Sequence, residues 1–281
     1  MKPHSTIITL LILILSSTSA FGIRMVHPYI GINDSIEAGN FKYVKNKLEW
    51  WEMCWEWKKD GDYYATRFNY YLNQAIQSSM QITAELPLYA YGTSVYTLQD
   101  TIEGKASGYM YQGYQIVDSL CLDSAIHYIN LGIKRCPNRL DLYLGLASCY
   151  LYCDNNTDMI KTLERAMKQS KKNKNQWLWL EEKTPPTEDI LFDRIQEDFG
   201  RYLDAEMYEN ALQLTKMVIK YAPKRAEFHN NLAVIAYMRG DYNLALKHFQ
   251  DANRLNPDDQ IIINNIQHLQ KEISENPPTE E

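Results

Sequence analysis

The chain has 281 residues and a mass of 32.9 kDa, enough for one large domain or two small ones. It is 45% apolar, so a core can form, and its formal charge of −6 lacks the Lys/Arg footprint of a nucleic-acid binder. With 12 glycines and 10 prolines, collagen-like, low-complexity and turn-rich all-β architectures lose ground, while 21 tyrosines stand out.

Met1 to Ala20 has the three parts of a secretory signal. Lys2 supplies the positive start, and Ile7 to Leu15 is an apolar run broken only by Thr9. Ser16 to Ala20 are small, with Thr18 and Ala20 at the −3 and −1 positions of a cleavage site. The run is shorter than the roughly 20 apolar residues needed to span a bilayer. It predicts cleavage near Ala20 and a secreted or periplasmic protein that does not span the membrane afterwards.

Residues 21–105 read as a helical, Trp-rich, repeat-like region. Gly39-Asn40-Phe41 suits a turn. Within 47–80, Trp50 and Trp57 share a packing stripe, and Gly61-Asp62-Tyr63 reads as a turn before Thr66, Tyr70 and Asn73. Trp51 and Trp55 are four apart on another face, where they either stack on a sugar or aromatic peptide or bury the segment 23–41. Residues 81–105 suit a short hairpin or an irregular connection.

Gly113, Ala125, Gly132 and Pro137 mark a helical unit over 106–139. Tyr143, Leu146-Ala147, Tyr150, Leu163 and Ala166 mark a second over 140–173, with Met159 in place of a small residue and no closing proline. An insertion follows at 174–189, with Trp177, Trp179 and Pro185-Pro186. In the segment 226–259, Leu232-Ala233 precede Gly240-Asp241-Tyr242, then Ala245, Phe249, Ala252 and Pro257. Subtracting 34 gives Tyr208, Ala211 and Pro223, so the second helix and its proline stop recur. From Gln260 to Ile273 the apolar positions Ile263, Ile266, Leu269 and Ile273 alternate with Gln and Asn. The tail 274–281 is polar and suits disorder.

This pattern resembles the tetratricopeptide repeat, most strongly over 192–259 and again over 106–173. The resemblance implies an all-α chain: a right-handed α-solenoid of about four to six helical hairpins, closed by a C-terminal capping helix over 260–273. It also implies that the first helix of each hairpin lines a concave groove. The groove positions fall on Trp51 and Trp55, on Met110 and Tyr114, on Leu144 and Tyr152, and on Asn230, Val234, Tyr237 and Met238. Aromatic and thioether side chains of this kind recur at interface hot spots.

No nucleophile, zinc, dinucleotide or phosphate-loop motif is present. The six histidines are scattered, so no catalytic residue, metal or cofactor is expected. The five cysteines (54, 121, 136, 149 and 153) form no C-x-x-C pair. In the stacking that the resemblance implies, the start of the helix holding Cys121 meets the end of the helix holding Cys153. A Cys121–Cys153 disulfide is the expectation. The reading as a whole is a non-catalytic adaptor or scaffold of the exported compartment that binds a protein or peptide. The alternative is a glycan-binding protein using the Trp-rich N-terminal region.

Overall fold

The computed structural model describes residues 32–53, 57–86, 88–90, 95–99, 106–179 and 188–275. The expected signal at 1–20, Trp55, Pro185-Pro186 and the end of the tail lie outside these residues. The chain divides into two compact units, Met1–Arg194 and Ile195–Glu281.

The first unit opens with helices α1 (Ile32–Glu37) and α2 (Phe41–Glu52). Between them Gly39 takes φ +72°, the left-handed region that glycine adopts without steric cost. Asn40 N–H then reaches back to Ser35 C=O at 2.8 Å, and the Asn40 side chain accepts from Tyr43 N–H to cap α2. Helix α3 (Gly61–Ala75) is capped by Asp60, whose Oδ1 accepts from Asp62 N–H at 2.9 Å. Gly61-Asp62-Tyr63 is therefore the first turn of a helix, not the turn between two. Ile32, Ile36, Val44, Leu48, Trp51, Tyr63, Tyr64 and Tyr70 form one apolar cluster.

Three antiparallel strands follow: β1 (Ile76–Thr83), β2 (Val95–Gln99) and β3 (Ala106–Ile116), in the order β1-β3-β2. Val, Ile, Thr and Tyr on a polar/apolar alternation favour a pleated, half-buried surface here. Gly108 lets β1 and β3 approach, since a Cβ there would lie 2.9 Å from the Thr83 carbonyl oxygen. The expected all-α class thus holds with one addition, this small sheet. It also overturns the helical reading of the start of the unit at 106–139, because Gly113 is a strand residue.

Helix α4 (Ser119–Arg135) packs against α3 along its length, as the two helices of one hairpin do. Gly132 sits where they meet α5 (Leu140–Tyr152); a Cβ there would come within 2.6 Å of Tyr64 Cβ and 3.2 Å of Leu142 Cδ1. The unit predicted at 106–139 is therefore built from α3 and α4, with the sheet inserted between its two helices.

Helices α5 and α6 (Asn156–Asn173) form the next hairpin. Asp154, at φ +53°, closes α5: its N–H donates to Leu151 C=O at 3.1 Å and Asn155 N–H to Tyr150 C=O at 2.9 Å. Arg139, just before α5, is buried between two carboxylates. Its Nη1 donates to Asp62 Oδ1 at 2.5 Å, while Nε and Nη2 clasp Asp141 at 2.8 and 2.7 Å. Asp62 and Asp141 are each the second residue of their helix, so the guanidinium ties the starts of α3 and α5 together. After α6, Trp177 is buried edge-on to Tyr143, and Leu178 exchanges backbone hydrogen bonds with Asn138 and Leu140.

Helix α7 (Glu188–Asp204) begins in the first unit, where Arg194 donates to Ser148 Oγ at 2.8 Å. The second unit continues with α8 (Tyr208–Tyr221), α9 (Ala226–Met238), α10 (Tyr242–Leu255) and α11 (Gln260–Glu275). Helices α8 and α10 start and end 34 residues apart, and α9 and α11 start 34 apart. The left-handed turn residues Glu206 and Gly240 keep the same step, and Asp154 precedes Glu206 by 52, one period plus the 18-residue insertion. Ala233, Ala245 and Ala252 let α9, α10 and α11 approach, and Phe249 and Leu269 fill the gap. The predicted cap is thus a first helix in register with its predecessors, two residues longer than expected.

Candidate functional site: a tyrosine cluster between the sheet and α5

The sheet carries two different faces. Cross-strand partners share a face, so Ile82, Met110 and Tyr96 form one row, and Ile82 and Tyr96 are exposed. Tyr111 lies on the other face, is buried, and donates its hydroxyl to Gln81 Oε1 at 3.1 Å. A short helical turn, Leu88–Ala90, lies against β3 and α5. Its Tyr89 ring is 6.2 Å from Tyr111, 5.5 Å from Tyr114 and 6.0 Å from Tyr152. Tyr114 N–H donates to the Tyr89 hydroxyl at 3.2 Å, and burial pushes that hydroxyl up to about 12.

Tyr114 and Tyr152 meet at 4.9 Å with their ring planes tilted 45°. Both are half-buried, so their rings rest on Tyr89 and keep part of their surface in solvent. Aromatic pairs in tilted or edge contact gain about 0.5–1.5 kcal/mol beyond area burial, which holds the cluster in place. Asp154 lies close enough to raise Tyr89 further, and burial pushes its own carboxyl up. The cluster therefore offers apolar area, hydroxyl groups and one nearby carboxyl. Among the described residues no group of three His, Cys, Asp or Glu side chains converges to hold a metal ion.

The other sequence-predicted positions are placed as follows. Tyr114 and Tyr152 come together, but Tyr114 arrives on a strand. Met110 is on the same strand, in the row with Ile82 and Tyr96. Leu144 is a buried core residue of α5. Trp51 is 3% exposed, edge-on to Tyr63, and donates its indole N–H to Asp60 Oδ2 at 3.1 Å. It cannot serve as a stacking platform. The packing stripe also shifts by one, since Trp50 is 51% exposed.

In the second unit Asn230 accepts from Asn265 Nδ2 at 2.9 Å, and Val234 packs in the core of α9, α10 and α11. Tyr237 and Tyr242 donate to the two oxygens of Glu272 at 2.6 and 3.1 Å, which raises the Tyr237 hydroxyl to about 12. Asn230–Asn265 and Tyr237–Glu272, both from α9 to α11, step 35 residues, as does Gln196–Asn231 from α7 to α9. Asn230, Val234 and Tyr237 therefore form the seam with α11, and Met238 at the end of α9 is exposed. Tyr89 was missed by the sequence reading; the Leu/Tyr-rich stretch around it was the available signal.

The expected Cys121–Cys153 disulfide is absent: both are free thiols. The Cys121 amide binds the capping Asp118 at 2.9 Å, whereas Cys153 is the C-cap residue of α5, one helical turn after Cys149.

A family model described as tetratricopeptide repeat matches residues 226–259, which contain α9, α10 and Pro257. No curated protein matches the chain. Among solved structures, that of MamA is 13% identical and covers 56% of this chain and 81% of its own, with a TM-score of 0.34. YrrB, described as a tetratricopeptide-repeat protein with an unusual peptide-binding site, is 13% identical, covering 83% and 87% at a TM-score of 0.32. The TPR2AB domain of yeast Sti1 in complex with an HSP90 peptide is 13% identical, covering 87% and 82% at 0.28. Likenesses at these scores decide nothing about function. The matched hairpin, the 34-residue step of its neighbours and the recurring left-handed turn agree with one another: residues 226–259 match a tetratricopeptide repeat, and the helices beside them keep its period.

Proposed function

We propose that the chain is a non-catalytic adaptor that docks a protein or peptide on the surface formed by Tyr114 and Tyr152 over Tyr89. The observation that carries this reading is the meeting of a strand tyrosine and a helix tyrosine at 4.9 Å, preorganised yet half-open. Tyrosine supplies large contact area at little entropic cost, and such anchors carry most of the energy at interfaces. The repeat scaffold supports the same class of role. The exported compartment is proposed from the composition of Met1 to Ala20 alone.

Affinity capture from the native exported fraction tests the proposal, with residues 21–281 as bait. A Tyr114→Ala/Tyr152→Ala bait runs beside it, after circular dichroism shows its helices intact. A protein retained by the first bait and lost by the second is the expected result. Capture indifferent to the two tyrosines refutes the site.

A further inference from the structure

The two edges of the sheet are unlike. β2 has five residues, and its pairing with β3 slips between Leu98 and Gln99. β1 has eight residues, keeps an unbroken register with β3, and contains no proline, glycine or charge. Among the described residues nothing pairs with its outer side. Long, uncharged edges are the ones natural sheets blunt, because they present a row of unpaired amides and carbonyls to another chain.

The register identifies those groups. Val117 N–H donates to Ala75 C=O at 2.8 Å, so the odd-numbered residues of β1 turn their backbone groups towards β3. Tyr114, opposite Ser78, agrees: its N–H points away from β1, to the Tyr89 hydroxyl. The amides of Ser78, Met80 and Ile82 and the carbonyls of Ile76, Ser78 and Met80 therefore face outward. The Ile76 amide is already bound to Leu72 C=O at the end of α3.

An antiparallel copy of β1 centred on Ser79 satisfies every one of these groups. Ser78 and Met80 exchange both hydrogen bonds with the second copy's Met80 and Ser78. Ile82 N–H donates to the second copy's Ile76 C=O, and the Ile76 amide needs no partner. The side chains agree with this register. Opposite residues share a face, so Ile82, 67% exposed, lies beside the second copy's Ile76. The row Tyr96, Met110 and Ile82 then continues through Ile76 and Ile116 of the second copy. Centring the pair on Met80 instead sets Ser78 against Ile82 and breaks the row.

We propose that the chain forms a two-fold dimer through β1, which joins the two three-stranded sheets into one. The occupant of the edge is a second copy because the strand is complementary to itself in hydrogen bonds, in apolar side chains and in its lack of charge. The dimer does not rest on the tyrosine docking surface, whose Tyr89 lies on the β2 side of β3.

The test is light scattering on the full chain over a dilution series. The wild type gives twice 32.9 kDa and falls towards 32.9 kDa on dilution. Met80→Pro removes an outward amide without touching the ladder to β3, and Met80→Lys sets like charges on either side of the axis. Both return the mass to 32.9 kDa, with circular dichroism as the check on fold. Ser79→Cys reads the register. Opposite residues of a non-hydrogen-bonded pair hold their Cα atoms about 4.5 Å apart, inside the roughly 4.4–6.8 Å span of a disulfide. Oxidised by air with copper phenanthroline, Ser79→Cys gives a covalent dimer on a non-reducing gel, while the wild type and Gln77→Cys do not. A mass of one chain at every concentration overturns the proposal. So does a dimer that both Met80 variants leave intact, or a Ser79→Cys chain that does not crosslink.

Discussion

Arg139→Met removes the cation between two buried carboxylates. The Arg139 side chain is 9% exposed, and those of Asp62 and Asp141 are 12% and 2%. Methionine fills much of the volume, so the loss is electrostatic: three hydrogen bonds vanish and two carboxylates lose their counter-charge. Removing one partner of a buried ion pair costs about 3–5 kcal/mol. All six tryptophans lie in the first unit, so their fluorescence in urea reports that unit alone. At a slope of about 2–3 kcal/mol per M, the midpoint falls by about 1–2 M. Buried carboxylates that lose the guanidinium have their folded pKa values pushed up relative to the unfolded value of about 3.9. Protonation then relieves the variant, so its deficit is full near neutral pH and shrinks as pH falls towards about 4. Adding Asp62→Asn and Asp141→Asn to Arg139→Met restores most of the loss. A midpoint within about 0.3 M of wild type, or a deficit independent of pH, refutes the claim that this cluster ties α3 to α5.

Four further outcomes follow from local geometry. Glu206→Gly raises stability by about 0.5–1 kcal/mol in urea unfolding followed by circular dichroism, because a left-handed non-glycine costs about 1–2 kcal/mol and glycine returns part of that in unfolded-chain entropy. Gly240→Ala, at φ +78°, lowers it by about 1 kcal/mol, and opposite signs are the check. Gly132→Ala costs about 1–3 kcal/mol by the tryptophan signal, since its Cβ meets Tyr64 Cβ at 2.6 Å. The Tyr89 hydroxyl, raised from 10.0 to about 12, favours the neutral form in the folded state. Its contribution is therefore complete below pH 10 and is lost towards about 12, an alkaline loss that Tyr89→Phe removes from the urea midpoints.

The second unit was legible because every cue lay within one uninterrupted period. Gly240 marks the left-handed turn, the alanines mark the close approach, and Pro257 stops the second helix. The hairpin of α3 and α4 was not, because residues 76–118 separate its two helices and no fixed step joins them. Gly113 stood at a plausible helical position and drew the first helix into what is β3. The alternation Tyr109, Tyr111 on one side and Met110, Tyr114 on the other was the overlooked signal of a strand. Side-chain facing was lost in a similar way at α2: a one-residue shift exchanges exposed Trp50 and buried Trp51. Tyr114 and Tyr152 were selected on a helical argument that fits only Tyr152. Their meeting is a product of the inserted sheet, which the repeat pattern does not encode.

Calorimetric titration of the captured partner tests directly whether Tyr114 and Tyr152 hold it. The wild type and Tyr152→Ala are compared at one salt concentration, with circular dichroism confirming equal helix content. A hot-spot tyrosine predicts a Kd weakened by about 30-fold or more, equivalent to about 2 kcal/mol. An unchanged Kd contradicts the claim and places the docking surface elsewhere on the chain.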